Sequence, residues 1–134
     1  MKPHEHRDQA ERIERSLGLL GDQDWEIRIE AAMLAGTHWA NHALHLRGVS
    51  AEGEDVIHTT MCAVNVLRKY ELAEKALLER LLEVEELRPL HVRGDVEGGP
   101  AAGRQALGLL AAIRDRALAV EAAARAAHGK ETRA

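Results

Sequence analysis

The sequence predicts an all-α domain, an up-and-down antiparallel bundle of four to five helices. Three observations carry this. Ala, Leu, Glu and Arg dominate the chain, and all four form helices readily. Apolar residues recur at spacings of three and four, and no segment alternates with period two over β-branched residues. Short turn-forming segments separate the periodic stretches, as antiparallel neighbours require. With 134 residues the chain can bury one sizeable core. No internal repeat or domain boundary interrupts it, so residues 1–134 read as one bundle, with frayed ends at 1–6 and 128–134.

The first helix is expected from about Arg7 to Leu20, burying Ala10, Ile13, Leu17 and Leu20 along one face. Gly21-Asp22 ends it, and Asp22 or Asp24 can cap the next. The second helix spans about Gln23 to Leu46. One stripe holds Trp25, Ile29, Ala32, Gly36, Ala40, Ala43 and Leu44. Another holds Ile27, Ala31 and Leu34, then passes into His38, His42 and His45. A helix apolar on two sides belongs at the centre of a bundle. Gly48 stands where a C-terminal cap is expected.

After the loop VSAEGED, a third helical segment opens at Glu54-Asp55 and buries Val56, Ile57, Met61, Val64 and Leu67. The pattern runs on to Leu87, which is long for one helix, so a break is expected near Lys69–Glu71. The acidic run Glu71, Glu74, Glu79, Glu83, Glu85 and Glu86 reads as a solvated face with Lys75 and Arg80 as partners. Pro89 prevents clean continuation past Arg88. The segment RPLHVRGDVEGGP is the longest expected non-helical stretch. The last helix is expected from about Ala101 to Ala127, with Leu107, Leu110, Ile113 and Ala117 inward.

Composition narrows the function classes. No apolar run approaches the ~18–20 residues that span a bilayer, so no membrane partner is expected. The polar start MKPHEHRDQAERIERS lacks the apolar segment of a secretory signal, which points to the cytoplasm. The single Cys62, in the apolar run MCAV, reads as a buried structural thiol. A net charge of −4 and a pI near 6.1 argue against a broad nucleic-acid surface. Trp25, Trp39 and Tyr70 are the only aromatic rings besides histidine, too few for a base-stacking platform. No motif asks for a cofactor.

Two constellations could carry chemistry. His38, His42 and His45 share one side of the second helix, and two helical histidines four apart can hold zinc. A further ligand could come from His58 or His91. Paired Glu-x-x-His motifs and a His-Glu-x-x-His motif are both missing, and Asp55-Val-Ile-His58 has the first spacing only once. The plainer reading is therefore no metal, with the three histidines lining a bundle edge or subunit contact. The second constellation is the loop Leu87–Asp95. Arg88 and Arg93 could clamp a phosphate and His91 could move a proton. Its plainer reading is a helix C-terminus with arginines facing the last carbonyls.

From Ala40 to Gly48 the chain reads ANHALHLRG, with a His-Ala step; His58-Thr59 opens the next segment, and an Ala/Leu-rich helix closes the domain. In these features residues 23–120 resemble the minimal branch of the HEPN superfamily of helical bundles. The resemblance implies a homodimer, and in some members a partner that is a small nucleotidyltransferase. The Arg-x4–6-His motif of HEPN ribonucleases is not present: His91 follows Arg88 by three residues, and Arg93 leads to Gly-Asp. Asp95 alone matches the family's acidic residue. The leading expectation is thus a dimeric, non-catalytic module that binds a partner protein or a small phosphorylated ligand. The alternatives are a ribonuclease using Arg88 or Arg93 with His91, and a metal-binding bundle using His38, His42 and His45. Any site should be a groove near His38, His42, His45, His58 and Asp95.

Overall fold

A computed structural model describes residues 1–57 and 64–133, and the side chains of all these except 64–66 and 130–133. The described residues form five helices and no strand: α1 (Pro3–Leu17), α2 (Trp25–Leu46), α3 (Val64–Ala73), α4 (Lys75–His91) and α5 (Gly99–Arg133).

α1 begins four residues earlier than the apolar pattern suggested. Pro3 suits a first helical position, where its missing N–H costs nothing. The Lys2 N–H donates to the Glu5 carboxylate at 2.8 Å and ties down the first turn. The first six residues therefore do not fray, and His6 is only 2% exposed. Neither Asp22 nor Asp24 caps α2 with its side chain. Asp24 instead accepts from the Gly21 N–H, and Asp22 holds Arg28 and Arg104.

α2 is central, but it is not apolar on two sides. Ile29, Ala32, Ala40, Ala43 and Leu44 are fully buried, whereas Ile27 and Leu34 face solvent. The helix expected to open at Glu54-Asp55 does not open there: residues 54–57 are non-helical, and the next described residues, from Val64, are helical. Val56 is buried as expected, and Ile57 is exposed. Met61 and Cys62 lie outside the described residues. The break falls at Glu74 rather than at 69–71, because that side chain is drawn inward. Only 4% exposed, it binds Arg47, and it takes Arg116 at 2.7 and 2.9 Å. It is not part of a solvated face. Pro89 sits inside α4, which stops two residues later at His91. Placed in the last turn, the proline sacrifices little of the hydrogen-bond ladder. α5 exceeds its expected limits at both ends.

α1, α2, α4 and α5 alternate in direction, and α3 packs on α4 as a short connector. Ion pairs fix the antiparallel neighbours: Arg88–Glu30 and Arg47–Glu74 join α4 and α3–α4 to α2, and Arg7–Glu121 and Arg114–Glu14 join α1 to α5. α2 and α5 run parallel and touch directly along their length. Trp25 lies on Gly99 and Gly103, and Gly36 lies against Leu110 and Ile113. Small residues at these positions let the two backbones approach.

Candidate metal centre

The start of α1 lies against the end of α2 because the two helices are antiparallel. This brings His6 to His38 and His45, with ring centroids 5.2 and 5.3 Å from the His6 ring. The chain then turns at Gly48, whose φ of +70° suits a residue without a Cβ. It returns along α2 to deliver Asp55. Asn41 of α2 holds the returning strand at Val56 from both sides: its amide donates to the Val56 carbonyl at 2.8 Å and its carbonyl accepts from the Val56 N–H at 2.6 Å. Asp55 is thereby placed by the backbone of the residue beside it.

Both imidazoles converge on one carboxylate oxygen. His6 Nε2 lies 2.8 Å and His45 Nε2 2.7 Å from Asp55 Oδ1. One ligating atom from each of His6, His45 and Asp55 falls within a span of 4.8 Å. His6 Nδ1 is 2.9 Å from His38 Nδ1, and His45 Nδ1 is 2.8 Å from Ser50 Oγ and 3.2 Å from its carbonyl. Each histidine facing Asp55 thus has a second partner on its far nitrogen, the arrangement that orients metal-ligating imidazoles.

The protonation states follow from these partners. Burial raises the Asp55 pKa, but the hydrogen bonds from His45 and His6, together with nearby positive charge that includes the N-terminus, outweigh it and leave the carboxyl below its ordinary value. Burial lowers the pKa of both His6 and His38, so both rings stay neutral near pH 7. With its Nε2–H on Asp55, His6 accepts at Nδ1 from the His38 Nδ1–H. Moving these protons by one tautomer frees both Nε2 lone pairs for a metal, while His6 Nδ1–H then donates to His38 and His45 Nδ1–H to Ser50. Donor atoms of a tetrahedral zinc site lie about 3.4 Å apart. The cluster would have to open by roughly half an ångström to admit such an ion.

A cavity of about 270 Å³ adjoins the cluster, with His6, His38 and Asp55 in its wall beside Thr37, Leu34 and Ile57. Arg88 closes one side, held by Glu30 at 2.7 Å and Glu85 at 2.9 Å.

Of the residues singled out in the sequence, His38 and His45 meet here. His42 points away, with Nδ1 2.7 Å from the Pro3 carbonyl. His58 lies outside the described residues. Asp95 and Arg93 are exposed in the connection between α4 and α5, and His91 is half-buried at the end of α4. His6 and Asp55 are the residues sequence reasoning missed. His6 was within reach: it continues the stripe of Ala10, Ile13 and Leu17 back by one turn. Asp55 stood out only through its spacing to His58, and its meeting with His6 and His45 was not legible, since its place depends on the Asn41–Val56 clamp. No protein-family model, curated protein or solved structure matches the chain.

Proposed function

We propose that this bundle binds a divalent transition-metal ion through His6, His45 and Asp55 and presents its remaining coordination positions to a small molecule in the adjoining cavity. The convergence of two buried Nε2 atoms on Asp55 Oδ1, each ring braced on its other nitrogen, carries this reading. Two imidazoles and one carboxylate suit zinc or ferrous iron, and three protein ligands leave a position open. Such an ion supplies Lewis acidity at the bound ligand, while His38, whose Nδ1 then accepts from His6, stands in the cavity wall with its Nε2–H as a hydrogen-bond donor. The reading places the weight on the histidine cluster rather than on the Arg88–Asp95 segment, and it stands for a monomer or a dimer alike.

The test is a calorimetric titration of chelator-stripped protein with Zn²⁺ and Fe²⁺. Binding with a raised melting temperature is expected, with one ion lost in His45→Gln and in Asp55→Asn. Circular dichroism of each variant establishes that the helices persist. Binding that is unchanged in both folded variants, or no binding at all, refutes the assignment.

A further inference from the structure

His42 offers something different from its neighbours on α2. Its ring is 2% exposed and packs edge-on against Trp39, with centroids 5.9 Å apart. Nδ1 faces the Pro3 carbonyl at 2.7 Å, and a carbonyl can only accept, so Nδ1 carries the proton. Burial lowers the pKa of the ring, which leaves it neutral. Nε2 is then a bare lone pair, buried and without a hydrogen-bond partner among the described residues. It faces Glu121 Oε1 at 3.5 Å. Glu121 is ionised: burial raises its pKa, and the Arg7 hydrogen bond together with the charges of Arg7 and Arg125 outweighs that. Two acceptors thus confront each other with no proton between them, and the cations on Glu121, Arg7 and Arg125, leave Nε2 unserved, which calls for a further cation or a donor.

The surroundings identify which. The pair opens into a cavity of about 460 Å³ whose rim carries His4 and His128. Three imidazoles and a carboxylate are a transition-metal donor set. The 3.5 Å separation of Nε2 and Oε1 also matches the roughly 3.4 Å edge of a tetrahedral zinc site. Arg7 binds the other oxygen of Glu121 and holds its carboxylate in place, a bracing role found around metal ligands. Arg125, 3.5 Å from Oε1 and exposed, is the group an ion displaces.

We infer that His42 and Glu121 form the preset half of a second divalent-metal site, separate from the one at His6, His45 and Asp55; His4 and His128, whose ligating atoms do not lie within 4.8 Å of that pair, complete it by swinging in from the cavity rim. Six of the eight histidines in the chain then divide into two trios on either side of α2's last turns. His4 and His6 go to opposite sides because they lie two apart on a helix.

The experiment is a zinc titration of chelator-stripped full-length protein, read by calorimetry for stoichiometry. Two ions per chain are expected in the wild type. His42→Gln and Glu121→Gln each remove one, and the ion that His45→Gln removes is the other. The exposed pair His4→Asn with His128→Asn, which burdens the fold least, weakens the His42 ion by about tenfold or more. A single ion lost in His42→Gln but kept in His45→Gln upholds this site and overturns the first. A single ion lost only in His45→Gln overturns this site and upholds the first. An ion count that neither His42→Gln nor the His4/His128 pair alters refutes the second site outright.

Discussion

His38 shows how one side chain can matter without being a ligand. It reaches the cluster only through His6, across 2.9 Å between Nδ1 atoms. In the proposed metal-bound tautomer it would accept the His6 Nδ1–H and keep the His6 ring aimed at the ion. Losing such a brace typically costs 10–100-fold in metal affinity. His38→Leu should therefore weaken zinc binding by roughly that factor, and His38→Gln, whose amide oxygen can still accept, should recover part of it. Competition titration against a zinc-sensitive dye reads both; equal affinity in wild type and His38→Leu would sink the bracing role. At this scale the sequence was half legible. The spacing of His38, His42 and His45 put three imidazoles on one side of α2, yet about 40–60° of helical rotation within that stripe sends His42 to one cavity, His38 to another and His45 onto Asp55. Spacing alone cannot make that distinction, because the partners that decide it sit on α1, α5 and the loop after α2.

Between elements, the contact of α2 with α5 was foreshadowed by the Ala and Gly positions on α2, but its parallel direction and closeness were not. Whether two small-residue faces meet depends on the return path of α4, which periodicity does not encode. Glycine positions on α5 now separate two roles. A Cβ at Gly103 would lie 2.9 Å from Trp25 Cβ and 3.1 Å from its Cα, so backbone would have to shift. A Cβ at Gly108 would meet nothing within 4 Å. Replacing an interior helical glycine by alanine favours the helix by about 1 kcal/mol where space allows. Gly108→Ala should accordingly raise stability by about that much. Gly103→Ala should lower it by about 1–3 kcal/mol, since overpacking exceeds the propensity gain. Urea-unfolding midpoints compare the two directly, and a stabilised Gly103→Ala would mean that α2 and α5 do not approach this closely.

Beside its apolar core, the molecule as a whole buries polar groups at positions where a simpler bundle would carry leucines. The sequence showed the all-α class and most of the core, since both follow from periodicity. It did not show that Glu74 would enter the interior, because Glu74 belongs by composition to an acidic run and only the fold brings Arg47 and Arg116 to it. These groups set the pH response. Burial lowers the folded-state pKa of His6, His38 and His42 below the ordinary 6.5. The unfolded chain then binds more protons than the folded one once pH falls below about 6.5, so stability drops with acidification, by at most ~1.4 kcal/mol per pH unit for each histidine. A second loss follows at lower pH. The arginine pairing of Glu74, and the hydrogen bonds to Glu121 and Asp55, hold these carboxyls below their ordinary values of 4.5 and 3.8. Their contribution is complete above those values and vanishes as pH falls through the folded ones. Both shifts have the same sign, so no pH below 7 should stabilise the protein. Urea unfolding between pH 7.5 and 4, with chelator present to remove metal linkage, should show decline starting near pH 6.5 and steepening below about 4.5. The combination His6→Gln with His42→Gln should flatten the first decline and leave the second. A wild-type profile that is level from pH 7.5 to 5.5 would show that the histidines are not buried in their neutral form, and with that His42 would lose its preset lone pair and the His6 cluster its neutral rings.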